Sequence, residues 1–131
     1  MDELEKIREM KRKEMLRELS YPKESIEITG ENLVHLLKKY PLLVVDCWAP
    51  WCMPCRIVEP AVEELSKEYT GEVVFGKLNI DENRLIAQRL GIMSIPTLLF
   101  FKEGKLVDRL IGALPKEHIK VRVEKLRQDG R

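Results

Sequence analysis

All three cysteines of this 131-residue chain lie in one short stretch, "DCWAPWCMPCR" at residues 46–56. Cys52 and Cys55 form a C-x-x-C pair where an apolar run gives way to a helical pattern. Cys52 would begin that helix, where unpaired N–H groups and the positive end of the helix dipole favour a thiolate. Cys55 follows one turn later on the same face, within bonding reach. The spacing therefore predicts two thiols that act as a pair.

Such a pair suits thiol–disulfide exchange, in which one thiolate attacks a substrate disulfide and the second thiol resolves the mixed disulfide. We expect an activated Cys52 near the surface, with Cys55 held behind it. Pro54 fixes the backbone between them and has no N–H to donate. A purely structural Cys52–Cys55 disulfide is disfavoured, because closing so short a loop constrains the unfolded chain little.

A metal site is the other chemistry that clustered cysteines suggest. Counting Cys47, the spacing C-x4-C-x2-C matches the first three ligands of a plant-type iron–sulfur site. The chain has no fourth cysteine, and His35 and His118 lie on predicted helices well away in sequence. Cys47 also follows Asp46 in a strand, so the two side chains point to opposite faces. We therefore predict no metal and interpret Cys47 as a small buried hydrophobe.

The elements that position these residues alternate between strand and helix. The expected order begins with a strand in "SIEI", a helix with Leu33, Leu36 and Leu37, and a buried strand at 42–49. A helix at 52–69, a strand at 73–81 and a short helix closed by Gly91 follow. The chain then forms a hairpin in "TLLFFKEGKLVDRLIG" and a terminal helix from Pro115. This order predicts an α/β fold with a central mixed sheet covered by helices on both faces. In the helix at 52–69 we expect Pro60 to produce a kink. The buried side of that helix is predicted to comprise Ile57, Val58, Ala61, Val62 and Leu65.

Residues 1–24 precede this pattern and form a charged extension, whereas residues 25–131 make one domain. Twelve of the first twenty residues are charged, six of each sign. We predict an amphipathic helix over residues 2–19, because its apolar residues share one broad side of a helical wheel. A solvated tail and a helix docked on the domain or on a partner chain stay open. We expect a monomer, with a dimer through residues 1–24 as the alternative.

Composition limits the partners and the compartment. The chain is 44% hydrophobic and 34% charged with a net charge of +1, which gives no reason to expect nucleic acid or an anionic membrane as partner. No apolar stretch approaches the roughly 20 residues of a membrane span. The N-terminus shows no secretory signal pattern. We therefore expect a cytoplasmic protein, where a close cysteine pair is more often catalytic or metal-binding than structural.

Several motifs together resemble one family. "VVDCWAPWCMPC", "KLNID", "IPTLLFFKEGK" and "LIGALPK" resemble successive blocks of the thioredoxin family, in its order and at its spacing, over residues 25–127. The resemblance implies the thioredoxin fold and a protein disulfide oxidoreductase that acts mainly as a reductase. Cys52 would be the nucleophile, Cys55 the resolving thiol, and the two would form a redox-active disulfide. The resemblance also implies a role in electron transport and cell redox homeostasis.

The resemblance also implies partners and proton-handling residues. The substrates would be disulfide-containing proteins and the electron donor a thioredoxin reductase, with no organic cofactor or metal in the domain. Asp46 matches a buried aspartate that exchanges a proton with Cys55 through water, and a carboxyl group in an apolar strand should have a raised pKa. Lys77 matches the lysine beside that aspartate and would tune it. An Asp46 carboxylate merely paired with a lysine is the alternative.

Substrate contact is implied at a ring of residues around the reactive sulfur. Pro96 matches the family's cis-proline beside the cysteine pair, and the backbone of Ile95 would pair with an extended substrate segment. Trp48 would have a structural role. The apolar surface around the sulfur would comprise Trp51, Met53, Pro54, Ile95, Gly112 and Ala113.

Three features depart from the family pattern. Met53 stands where glycine is usual, Cys47 stands where an aromatic residue is usual, and residues 1–24 have no counterpart in the minimal fold. An oxidase, an isomerase, a reductase dedicated to one partner, and a non-enzymatic interaction module remain alternatives.

Overall fold

The order of strands and helices predicted from the sequence is confirmed by a computed structural model, which describes residues 2–128. The elements are α1 (Glu3–Ser20), β1 (Ile26–Ile28), α2 (Leu33–Lys39), β2 (Leu42–Trp48), α3 (Met53–Glu68), β3 (Val74–Asn79), α4 (Arg84–Arg89), β4 (Thr97–Lys102), β5 (Lys105–Ile111) and α5 (Lys116–Gln128).

The five strands form one mixed sheet in the order β1-β3-β2-β4-β5. Strands β1, β3 and β2 are parallel, and β4 and β5 join them as an antiparallel hairpin. The central strand β2 is buried along Leu43–Cys47, as its near-continuous apolar sequence predicts. Because β2 leads directly into α3, the sheet carries the cysteine pair at the carboxyl end of its central strand.

Alternating side chains of the sheet build a core on each face. Val44, Phe75 and Phe100 pack with α3 and α5 on one face. Val45, Cys47 and Leu99 pack with α2 on the other face. Asp46 follows the alternation and faces α3, whereas Cys47 faces away from it. The prediction that these neighbours point to opposite faces is confirmed.

Helix α3 begins with Cys52 as its N-cap, runs without a break through Pro60, and ends at Glu68. Its predicted buried side is correct except at Ile57, which is 71% exposed. At about 100° per residue, Ile57 lies roughly a quarter turn from the centre of the buried stripe. It therefore joins the exposed side, four residues after Met53. The buried stripe consists of Val58, Ala61, Val62 and Leu65.

Helix α1 is the predicted extension, and Asp2 caps it by accepting a hydrogen bond from the Glu5 N–H at 2.8 Å. Its end is anchored where the Tyr21 ring packs edge-on against Tyr40, with centroids 5.0 Å apart. A cavity of about 310 Å³ separates α1 from residues 70–72, just beyond the end of α3. Within the described ranges, no helix is long and apolar enough to cross a bilayer. The apolar residues of α1 stay exposed: Leu4, Ile7, Met10, Met15, Leu16 and Leu19.

Candidate active site

The cysteine pair lies at the start of α3, joined as a disulfide with the two Cα atoms 5.3 Å apart. Cys52 is the N-cap, and its sulfur accepts a hydrogen bond from the Cys55 backbone N–H at 3.2 Å. The Cys52 N–H in turn donates to the Ala49 carbonyl at 3.1 Å. The Cys52 sulfur therefore has both a donor and the positive end of a helix beside it, and both favour a thiolate once the disulfide is reduced.

Both cysteines are almost completely buried, with 4% of Cys52 and 3% of Cys55 exposed. The expectation that Cys52 lies nearer the surface is therefore wrong for the disulfide form. Distant parts of the chain cover the cysteine pair, since the half-buried Ile80 and Ile95 pack against it together with Trp48. What distinguishes the two sulfurs is their surroundings.

Asp46 is the buried carboxyl group nearest this pair in sequence, and only 1% of the residue is exposed. Neither carboxyl oxygen has a hydrogen-bond partner within residues 2–128. Burial raises the pKa of Asp46 to about 7, the Lys77 charge opposes that rise, and Glu59 and Glu63 add to it. The side chain can therefore gain or lose a proton near neutral pH.

A cavity of about 370 Å³ connects Asp46 with Cys55. Its wall also includes Trp48, Pro50, Arg56 and Glu59, whereas Cys52 is not part of it. The space is large enough for water. Cys55, and not Cys52, therefore lines the same cavity as the buried aspartate.

Lys77 lies beside Asp46 in the parallel register of β2 and β3, as the family resemblance implies. Its ammonium group nevertheless binds Glu59, with Nζ 2.6 Å from Oε2, and lies 5.0 Å from the centre of the Trp48 ring. The alternative of a simple Asp46–lysine ion pair is therefore wrong for this structure. No sequence pattern singles out Glu59, because an ion pair between residues 18 apart leaves no periodic signal.

The exposed rim of the site begins with Trp51, Met53 and Pro54. Trp51 and Met53 are 68% and 67% exposed. The Trp51 indole N–H donates a hydrogen bond to Asp81 Oδ2 at 2.9 Å, and the Asp81 N–H donates to Asn79 Oδ1 at 2.9 Å. Asp81 is a second site residue that no local pattern points to, although it ends the "KLNID" block at residues 77–81. It holds the tryptophan ring, which precedes Cys52 in the chain.

The opposite rim comes from the loop before β4 and the end of β5. The Ile95–Pro96 peptide bond is cis. Among residues 2–128 the Ile95 backbone makes no hydrogen bond, so its N–H and C=O remain available to a bound chain. The Gly112 N–H donates to the Pro96 carbonyl at 2.9 Å, with a Gly112 φ of 104° that only glycine adopts readily. The exposed Ala113 follows directly, so Gly112 and Ala113 lie next to the cis-proline, whose neighbour Ile95 packs against the cysteine pair.

Cys47 does not join the pair. It is fully buried in the core on the far face of the sheet, and burial raises the pKa of its thiol to about 12, with Asp46 adding to the rise. Its interpretation as a small core residue is supported by this packing. Across residues 2–128, no group of three or more His, Cys, Asp or Glu side chains is placed to hold a metal ion.

The family model described as thioredoxin matches residues 24–125 of the chain. A thioredoxin from Chlorobaculum thiosulfatiphilum is 43% identical over 99 residues, covering 75% of this chain and 92% of that protein. A thioredoxin from Synechocystis is 52% identical over 83 residues, covering 63% of this chain and 78% of that protein. A chloroplastic M-type thioredoxin from Pisum sativum is also 52% identical over 83 residues, 63% of this chain, but the chain covers only 48% of its length.

Solved structures agree with the sequence comparison. A variant thioredoxin from Halobacterium salinarum superposes with a TM-score of 0.78 at 28% identity, covering 82% of this chain and 95% of that one. Thioredoxin f from spinach chloroplast gives a TM-score of 0.76 at 28% identity, covering 82% and 97%. The chain therefore belongs to the thioredoxin family and carries, in Cys52 and Cys55, the redox-active pair of a protein disulfide oxidoreductase.

Proposed function

We propose that this protein is a disulfide reductase in which Cys52 attacks, Cys55 resolves and Asp46 handles the proton. The observation that supports these roles is the difference between the two sulfurs. The Cys52 sulfur accepts a backbone hydrogen bond at the start of α3, whereas Cys55 borders the cavity that contains Asp46. A thiolate is stabilised at the first position, and a thiol can pass its proton to a base at the second.

The reaction then has two exchange steps. The Cys52 thiolate attacks one sulfur of a substrate disulfide, forms a mixed disulfide, and releases the other substrate sulfur as a thiolate that takes up a proton. The Cys55 thiol loses its proton and attacks the Cys52 sulfur, which releases the second substrate thiol and forms the Cys52–Cys55 disulfide. Two electrons pass to the substrate, and the protein ends oxidised.

Asp46 enters at the second step. Its carboxylate accepts the Cys55 proton through water in the shared cavity as Cys55 becomes a nucleophile. A pKa of about 7 suits this task, because the group is then a base for part of the population at neutral pH and strong enough to accept a proton. Lys77, beside it in the next strand, tunes that pKa.

The substrates we propose are extended or locally unfolded segments around a disulfide. The apolar rim of Trp51, Met53 and Pro54 would contact their side chains, and the unpaired Ile95 backbone would hydrogen-bond to their main chain. Pro96, Gly112 and Ala113 complete the opposite wall. These contacts demand few particular side chains, which fits a broad set of disulfide-containing proteins.

The oxidised protein must be returned to the dithiol, and we propose a thioredoxin reductase as the electron donor. A reductase that depends on such a supply suits a compartment that keeps thiols reduced, and we therefore place it in the cytoplasm. We further propose that the protein acts as a monomer, because the described site is built from one chain.

Reduction of insulin driven by dithiothreitol tests the proposal. The wild-type protein should accelerate insulin precipitation, Cys52→Ser should lose that activity, and Cys47→Ser should retain it as the matched control. Retained activity in Cys52→Ser would contradict the assignment of the nucleophile. Equilibration with glutathione separates a reductase, which lies well on the reducing side, from an oxidase or isomerase.

A further inference from the structure

Glu59 lies one helical turn after Cys55 on α3, on the same face, and borders the cavity that Asp46 and Cys55 share. Its carboxylate holds the Lys77 ammonium at 2.6 Å. The family resemblance assigns no role to this position. Glu59 therefore brings a third ionisable side chain to the cavity, and one that is bound to the cation of the neighbouring strand.

Lys77 would have another partner without Glu59. It is the register neighbour of Asp46 across β2 and β3, and Asp46 has no hydrogen-bond partner in the described residues. A flexible lysine stem lets the ammonium reach either carboxylate. An ion pair with Asp46 would stabilise the charged form of that carboxyl group and so weaken it as a base.

The other groups that face Asp46 do not replace this contact. From α3, the Arg56 guanidinium is held by the Pro50 carbonyl at 3.0 Å, and Glu63 is bound to Ser25. Cys55 is neutral as a thiol, and from β4 the register neighbour of Asp46 is the apolar Leu98. Lys77 is thus the one cation that lowers the Asp46 pKa among the described groups, and Glu59 is the residue that binds it.

We propose that Glu59 is a positioning residue of the reaction, which holds the Lys77 ammonium away from Asp46 and so keeps Asp46 able to accept the Cys55 proton near neutral pH. The inference rests on the proton role proposed for Asp46. It explains why Lys77 can lie beside Asp46 in the sheet without pairing with it. It also makes the operating pH of the resolving step depend on a half-exposed residue outside the cysteine pair.

The test follows the Asp46 carboxyl carbon by NMR as a function of pH in the oxidised protein, where Cys52 and Cys55 do not titrate. Glu59→Gln should lower the titration midpoint of Asp46 by about one pH unit, because Lys77 is released towards it and a nearby negative charge is lost. Glu64→Gln is the matched control, since it removes the same charge from the same helix, and it should leave the midpoint in place.

A second pair of variants isolates the action through Lys77. In a Lys77→Gln background, adding Glu59→Gln should shift the midpoint by less than half as much as in the wild type. An equal shift in both backgrounds would mean that Glu59 acts through its own charge alone, and no shift in either would mean that it does not act on Asp46. Both results would overturn the proposal.

The rate of the resolving step keeps this inference separate from the role of Asp46. Single-turnover release of substrate from the mixed disulfide should show a pH midpoint that falls in Glu59→Gln together with the NMR midpoint. If the NMR midpoint moves and the rate profile does not, the proton role of Asp46 is contradicted, while the hold of Glu59 on Lys77 stands.

Discussion

The backbone N–H of Cys55 donates a hydrogen bond to the sulfur of Cys52 at 3.2 Å, and no such donor approaches the sulfur of Cys55 in the described residues. The two cysteines are buried to nearly the same degree, so exposure does not set them apart. Their difference comes from the backbone at the start of α3. One sulfur accepts a hydrogen bond from a helix N–H group, and the other lines a cavity that also reaches a buried carboxyl group.

This asymmetry predicts that Cys52 forms its thiolate at lower pH than Cys55. In the reduced protein at pH 7, iodoacetamide should modify Cys52 at least about tenfold faster than Cys55, since the helix terminus and a charge-assisted hydrogen bond together stabilise the thiolate. Peptide mapping by mass spectrometry measures the two rates. Cys47 should stay unmodified in the folded protein, because it is fully buried. Faster modification of Cys55 would contradict the assignment.

Asp46 should make stability depend on pH. Its pKa rises from an ordinary 3.8 to about 7 on folding, so the folded state holds a proton that the unfolded state releases. The free energy of unfolding should therefore fall as pH rises from about 4 to 8, by about 4 kcal/mol from this group. Asp46→Asn should remove that part of the fall, measured by urea unfolding of the oxidised protein at each pH.

Glu82→Gln is the control for this pH series, because it neutralises an exposed carboxyl group near the same end of the sheet. It should keep the wild-type pH dependence. A wild-type slope that persists unchanged in Asp46→Asn would show that other groups cause it.

The hydrogen bond from Trp51 to Asp81 predicts that Asp81 affects substrate binding but not the reactivity of Cys52. In Asp81→Ala the indole ring loses its anchor, and KM for insulin should rise by about threefold to tenfold, the usual range for one lost hydrogen bond. The rate of Cys52 alkylation should stay at the wild-type value. Glu82→Ala, at the next position, is the control and should change neither quantity. If Asp81→Ala slowed Cys52 alkylation by the same factor as it raised KM, Asp81 would take part in the activation of Cys52 instead.

Helix α1 should contribute little to the stability of the domain. Its apolar side chains are 45% to 71% exposed, and its anchor is Tyr21, which follows it. Deletion of residues 1–20 should change the free energy of unfolding by less than about 1 kcal/mol and leave insulin reduction unaltered. Light scattering after size exclusion should give a monomer mass for both chains. A doubled mass for the full chain alone would establish α1 as a dimer interface.

Local patterns explain why the sequence predicted the fold and the position of the pair. The apolar run of β2 and the helical period after Cys52 are both short-range signals, and together they predict a cysteine pair at a strand-to-helix junction. The burial of Asp46 follows from the same apolar run, which predicts a strand covered on both faces. The prediction that Ile57 is buried was wrong because this residue lies at the margin of the buried stripe of α3, where periodicity alone does not assign a side.

Contacts between distant segments explain the rest. The burial of Cys52 depends on Ile80 and Ile95, the Trp51 anchor lies 30 residues away at Asp81, and the partner of Lys77 is on a different element. Each contact joins residues that tertiary packing brings together, and none leaves a pattern in a local window. The sequence therefore predicted the residues of the site better than the tertiary contacts that bury, anchor or pair them.

Trapping of the mixed disulfide tests the division of roles between Cys52 and Cys55 most directly. Cys55→Ser, reduced and mixed with a disulfide-containing protein, should accumulate a covalent adduct, and peptide mapping should place that adduct on Cys52. Cys52→Ser should form none on the same timescale. An adduct on Cys55 in Cys52→Ser at a comparable rate, or the absence of any adduct in Cys55→Ser, would contradict the mechanism.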